Sequence, residues 1–351
     1  MGHLAAMGMQ DLPGLGGDRL LRATRVGELD QLPRLDGPGR PRCDLHMLAR
    51  RRRVRGTLAS HSGEDSRQRM RRPYSEGVFP KTLSPSRAGD FLTCPLLYRL
   101  RVLDKLPEPP SAVAIRGTLV HAALEDLFAL PAAERSLERA GEMFAARFDE
   151  LSRSDPPAAQ ALLDGLDENT IASPETAAEA VLAPARSLLE TYFTLEDPTR
   201  LDPHARELAV SAELESGLTV RGFIDRVDRA PDGRIRLVDY KTGRSPGSGF
   251  ESKAMFQMRF YALVWWRMTG DIPTRLQLLY LKDGQVIHYD PNAGDLEATE
   301  RKILAIREAI AKAMSAGFQP SPSGLCAYCS FHEFCPAQGG TIPPMPVAER
   351  G

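Results

Sequence analysis

The segment 219–243, TVRGFIDRVDRAPDGRIRLVDYKTG, holds two alternating runs on either side of Pro231-Asp232-Gly233. Alternation with β-branched residues predicts strands, and the Pro-Asp-Gly step supplies the turn between them. With those three residues as the loop, Ala230 faces Arg234. Counting outwards, Asp225 then faces Asp239. Side chains alternate along a strand, so Asp239 shares a face with Lys241. The same face is expected to carry Phe223, Val227, Ile235 and Leu237. Two carboxylates and an ammonium thus fall on an otherwise apolar stripe. Unpaired charge is expensive to bury, so such groups need a partner, for instance a metal ion. A lone Asp-x-Lys is more simply an ion pair at a strand end; the opposed second aspartate sets this one apart.

The residue types fit one chemistry. Two carboxylates can hold Mg²⁺ or Mn²⁺, which acts as a Lewis acid and lowers the pKa of a bound water. A neighbouring lysine can orient or deprotonate that water and stabilise developing negative charge. Hydrolysis of a phosphodiester requires both.

Outwards from this hairpin the pattern is mixed. Upstream, ELAVSAELE predicts a strand from about Glu207. Downstream come a helix over about Lys253 to Met268, a second hairpin around Asp283-Gly284, and a helix over roughly 296–316. Before the strands, Ser84-Pro85-Ser86 opens a helix that Pro95 breaks or restarts. Further helical patterns cover about Ile115 to Leu130, 134–152 and 175–194. This order predicts an α/β fold with α+β character: a mixed central β-sheet flanked by helices, with N-terminal helices and a cysteine-bearing tail. The expected organisation is a basic arm over 1–80, one domain over 81–340 with a helical insertion at about 131–200, and a flexible tail over 341–351.

Composition sets outer limits. Of 351 residues, 42% are hydrophobic and 26% charged, and the net charge is −1, so only a local basic groove could steer a polyanion. No apolar run reaches the roughly 20 residues of a membrane span, and the N-terminus lacks a signal-peptide pattern. A cytoplasmic protein without membrane contact is the expectation. The arm holds Arg50–Arg53, Arg55, Arg67, Arg69, Arg71 and Arg72 with little apolar periodicity, which reads as a solvated, disordered segment. Of five cysteines, Cys326, Cys329 and Cys335 crowd together near the C-terminus. Three thiolates leave a four-ligand site open, and Cys94 can complete it. Four cysteines fit Zn²⁺ or an iron–sulfur cluster, and spacing does not choose between them. Cys43 lies in the arm and reads as a bystander.

Asp225 with Asp239-Tyr240-Lys241-Thr242-Gly243 resembles the PD-(D/E)XK signature of RecB-type nucleases. Four further segments resemble that family in the same order: LSPSRAGDFLTCPLLYRL with Cys94, RGTLVHAALE with His121, Gln257 and Tyr261 in QMRFY, and CAYCSFHEFC. Together they span about residues 83–336. The resemblance implies a restriction-endonuclease-like fold and a kinship with RecB- and AddB-like exonucleases and the CRISPR-adaptation exonucleases. It implies that His121, Asp225, Asp239 and the Tyr240 carbonyl bind Mg²⁺ or Mn²⁺, that Lys241 positions the attacking water, and that Gln257 and Tyr261 contact the lysine or the DNA. It favours [4Fe–4S] over zinc for Cys94, Cys326, Cys329 and Cys335. The implied activity is DNA exonuclease, acting on single-stranded ends in repair, recombination or foreign-DNA processing.

Several residues have plainer readings. His121 and Glu125 share a helix face at i and i+4, yet a helical histidine alone is more often packed or solvated than ligating. Glu213 reads as a solvated strand residue, and Asp228 falls on the face opposite Asp225. Two rival functions remain: a nuclease-like subunit that holds DNA for a separate helicase, and a zinc-stabilised structural protein. The first is disfavoured by the intact Asp225, Asp239 and Lys241, and the second leaves their charges unexplained. No G-x-x-x-x-G-K-[ST] motif is present, so a separate motor must open any duplex.

Overall fold

The computed structural model describes Ala23–Thr24 and residues 81–164, 166, 173–247 and 251–345. Apart from Ala23–Thr24, the expected basic arm lies outside the described residues, as does the tail beyond 345.

Among the described residues, seven strands form one mixed sheet: β1 (Ala23–Thr24), β2 (Thr82–Leu83), β3 (Pro203–Glu213), β4 (Thr219–Arg229), β5 (Ile235–Lys241), β6 (Arg275–Tyr280) and β7 (Gln285–Tyr289). Their order is β1-β7-β6-β5-β4-β2, with β3 also on β4. The expected hairpin forms. Arg226 pairs with Val238 and Arg229 with Ile235. Gly233 closes its turn at φ +87, a left-handed conformation that glycine adopts without strain. β5 and β6 are parallel, and α7 (Glu251–Thr269) makes the crossover between them.

Helices cover both faces. On one face, α1 (Pro85–Thr93), α2 (Pro95–Tyr98), α7 and α8 (Ala293–Ala316) pack over Val227, Ile235, Leu237, Leu276 and Leu278. On the other, α3 (Ala112–Leu127), α4 (Leu137–Ser154), α5 (Pro156–Leu163) and α6 (Pro174–Leu195) pack over Val238, Tyr240 and Leu279. Alternate residues of β5 thus enter different cores, and its central residues are buried on both faces. Local chemistry starts the helices: Ser84 and Ser111 cap α1 and α3 through their side chains, while Asn292 and Asp295 form a capping box on α8. Such caps are worth about 1 kcal/mol each. Pro95 does restart the chain, since α1 ends at Thr93 and α2 begins at Pro95.

One topological detail positions the site. Thr219 pairs with Glu213 on one edge of β4 and with Thr82 on the other. Arg226 to Arg229 pair with β3 on the first edge and with β5 on the second. β2 and β5 therefore share the second edge at its two ends. Between them, at residues 221–225, no described strand occupies it. The sheet forks there.

The pleat breaks at the same place. Val227 and Ile224 both pack into the α7-side core, three residues apart, where regular alternation would put them on opposite faces. On β3 the ladder pairs Arg206 with Arg226 and Leu208 with Ile224, but not Glu207 with Asp225. Glu207 has φ +42, in the left-handed region. This irregularity corrects the apolar stripe expected from sequence. Val227, Ile235 and Leu237 are buried as expected, but Phe223 is 61% exposed.

Candidate active site and cysteine cavity

The candidate residues arrive at the fork from four elements. Asp225 lies at the break in β4 and turns towards α3. Its Oδ2 lies 3.3 Å from Nδ1 of His121 and accepts the Tyr240 amide at 2.8 Å. That bond replaces the ladder where β4 and β5 separate. Asp239 and Lys241 sit on the α7 side of β5. Lys241 Nζ is 2.6 Å from Asp239 Oδ2. Gln257 of α7 bridges the pair: its Oε1 accepts from Lys241 Nζ at 2.9 Å, and its Nε2 donates to Asp239 Oδ1 at 2.8 Å and to the Tyr261 hydroxyl at 3.1 Å. The expected side chains thus gather around one fork in two groups on two faces of the sheet: His121 with Asp225, and Asp239 with Lys241, Gln257 and Tyr261. The group of potential metal ligands within 4.8 Å of one another holds His121, Glu207 and Asp225 and leaves out Asp239.

Two glycines let the helices close on the hairpin. A Cβ on Gly117 of α3 would stand 2.8 Å from Thr242 Oγ1. A Cβ on Gly222 of β4 would stand 2.5 Å from the Tyr261 ring. A side chain at Gly117 would require the Thr242 hydroxyl to move, and one at Gly222 would require the Tyr261 ring to move.

Glu207 was missed from sequence. His121, Glu207 and Asp225 each offer a ligand atom within 4.8 Å of the others. Glu125 lines the same cleft, with Arg206 beside it. The one available signal was the β3–β4 register, in which Glu207 and Asp225 both fall between the pairs Arg206–Arg226 and Leu208–Ile224. Glu213 is an exposed residue at the end of β3, as expected. Asp228 belongs to a buried ion network: Arg226, fully buried, pairs with Glu196 and Asp228 and donates to the Tyr240 hydroxyl at 2.7 Å. That network props Tyr240 from beneath.

The electrostatics favour a cation. Burial, then the charge of Asp239, holds the Asp225 carboxyl well above its ordinary range. Burial, with Glu125 and Asp239, also raises Glu207. Burial lowers His121 and so keeps it neutral, its ligating form; the Asp239 charge and a hydrogen bond to the Tyr240 backbone pull the other way. Asp239 Oδ2 is buried and accepts no well-directed hydrogen bond, since the nearby Lys241 is off line. Carboxylates that resist ionisation beside a neutral imidazole fit a divalent ion.

The four cysteines also converge. Cys94, Cys326, Cys329 and Cys335 line one cavity of about 220 Å³ with Leu96, Leu100 and Phe331. Cys94 Sγ accepts the Ser321 amide at 3.3 Å, and Cys326 Sγ accepts the Ser323 amide at 3.3 Å. Among the described residues, no three of these sulfurs lie within 4.8 Å of one another.

A mixed sheet between helical layers, with two aspartates and a lysine at its fork, defines a restriction-endonuclease-like nuclease. The model of the PD-(D/E)XK nuclease superfamily matches residues 82–336, and the chain belongs to that superfamily. It is therefore a phosphodiesterase of a family that acts on DNA and generally uses divalent metals. Two phage proteins are similar over nearly their whole length. The Gene 69 protein of Mycobacterium phage L5 is 30% identical over 292 residues, 73% of this chain and 98% of that protein. The Gene 69 protein of Mycobacterium phage D29 is 27% identical over 275 residues, 72% and 96% respectively. Among solved structures, a candidate exonuclease from Eubacterium rectale aligns with a TM-score of 0.40 at 11% identity, covering 80% of this chain and 97% of that one. No described helix is long and apolar enough to cross a membrane.

Proposed function

We propose that this chain is a RecB-type DNA exonuclease that degrades single-stranded ends in repair, recombination or removal of foreign DNA. The meeting of His121, Asp225, Asp239 and Lys241 at the sheet fork carries the reading. His121, Asp225, Asp239 and the Tyr240 carbonyl would hold Mg²⁺ or Mn²⁺, with Glu207 as a further ligand. The ion supplies Lewis acidity at the phosphate and a more acidic water. Lys241 Nζ orients the attacking water and offsets charge on the phosphoryl oxygens. Gln257 fixes Lys241 relative to Asp239, and Tyr261 braces Gln257. The single-strand preference rests on the five RecB-like segments. On duplex DNA a separate helicase would supply the strand.

Cys94, Cys326, Cys329 and Cys335 would hold a [4Fe–4S] cluster that ties the first helix to the C-terminal tail. The cavity supports this. A tetrahedral zinc with Zn–S of about 2.3 Å brings its sulfurs to about 3.8 Å from one another. Among the described residues no three of these sulfurs lie within 4.8 Å of one another, a wider spacing than that zinc geometry. Amide donors on Cys94 and Cys326 suit thiolates.

The test is cleavage of end-labelled single-stranded DNA in Mn²⁺. Asp225→Ala, Asp239→Ala and Lys241→Ala should each abolish it while circular dichroism stays native. Wild-type-like cleavage by a folded variant removes that residue from the site. Internal cuts in a circular single strand would replace the exonuclease reading with an endonuclease one.

A further inference from the structure

Phe223 stands out among the exposed apolar residues. It lies mid-strand in an 11-residue strand, yet it is 61% exposed. Its partner across the β3 ladder is Ala209, a small and exposed residue that does not shield the ring. On its other edge lies the fork between β2 and β5. Ile224 enters the α7-side core and Gly222 packs on Tyr261, so Arg221, Phe223 and Asp225 share the opposite face, that of His121. Two residues along a strand span about 7 Å. The ring is therefore one such step from Asp225, and Arg221 one step further. Arg221 is exposed and forms no ion pair among the described residues.

We propose that this strip is the track of the nucleic acid leading to the site: an unpaired base stacks on Phe223, and Arg221 takes a backbone phosphate. The inference rests on the nuclease reading and deepens it, naming a single-stranded segment as occupant. Three observations favour that occupant. The strip is continuous with the site, the Arg221 charge is complementary to phosphate, and the Phe223 ring is bare. An exposed ring beside a basic side chain is the arrangement that binds single strands with little regard to sequence. A paired base, stacked on both faces within a duplex, has no face left for Phe223.

The experiment uses the full chain and a fluorescein-labelled oligothymidylate. Binding is measured by anisotropy with Ca²⁺ in place of Mn²⁺, and KM and kcat with Mn²⁺. Phe223→Ala should weaken binding and raise KM on the order of 5- to 100-fold, with kcat little changed. Phe223→Tyr should retain binding; Phe223→Leu, apolar but without a ring, should not. A blunt duplex should show no such loss. In the wild type, one abasic position along the oligonucleotide should cost the same factor, and Phe223→Ala should be indifferent to it. Arg221→Gln should reduce the salt slope of log K by about 0.7, one phosphate on a single strand. Unchanged binding by folded Phe223→Ala, equal losses on duplex, or additive abasic and Phe223→Ala penalties would each overturn the proposal. A wild-type chain that binds single strands but never cuts them would instead defeat the nuclease reading, and the binding arm would still decide Phe223.

Discussion

Removing the amide of Gln257 disconnects the two charged groups it bridges. Its Oε1 accepts from Lys241 Nζ at 2.9 Å and its Nε2 donates to Asp239 Oδ1 at 2.8 Å. Hydrogen bonds to charged groups are worth about 1.5–3 kcal/mol each when buried. Asp239 is 2% exposed, so its bond counts nearly in full. The Lys241 side chain is 30% exposed, so water can replace much of the second. Together they give about 2–3 kcal/mol of pre-organisation. Gln257→Ala should therefore lower kcat/KM roughly 30- to 150-fold. Gln257→Glu should be worse, because a second carboxylate would meet Asp239. Tyr261→Phe loses only the 3.1 Å bond from Gln257 to a neutral hydroxyl and should cost tenfold or less, on an order-of-magnitude basis. The assay is initial-rate release from an end-labelled single strand across Mn²⁺ concentrations, with thermal melts to establish folding. If folded Gln257→Ala stayed within about threefold of wild type, the bridge would have no positioning role, and the argument from these distances would be refuted.

Other perturbations have equally definite outcomes. Glu207→Gln should lower Mn²⁺ affinity by calorimetry on the order of tenfold with the fold intact, and unchanged affinity would take Glu207 out of the site. The raised carboxyls of Asp225 and Glu207 stabilise the metal-free chain only while protonated. That stability is full below the unfolded carboxylate range and is lost as pH rises through the higher folded values. Mn²⁺ competes with those protons, so its increase in Tm should be larger at about pH 8 than at about pH 5; a pH-independent increase would contradict the assignment. Serine at Cys94, Cys326, Cys329 or Cys335 should lower Tm and yield colourless protein, whereas Cys43→Ser should do neither. Iron and acid-labile sulfide assays on anaerobically purified protein check this, and stoichiometric zinc without iron would refute the cluster while keeping the ligands.

Local rules carried the sequence reading a long way. The Pro231-Asp232-Gly233 turn determined the hairpin register, because a short turn leaves few ways to pair its flanking strands. The spacing of Cys326, Cys329 and Cys335, and the helix start at Ser84, were legible for the same reason: each depends on neighbours a few residues away. The faces of the site were not. Alternation assigns Phe223 and Asp225 to one stripe with Val227, but the pleat breaks at Asp225 and Glu207. A break of that kind is held by packing from both sides, α3 against Thr242 through Gly117 and α7 against Gly222 through Tyr261. Those contacts join residues far apart in the chain. Only the folded structure therefore decided that Glu207 enters the cleft and that Phe223 stays bare.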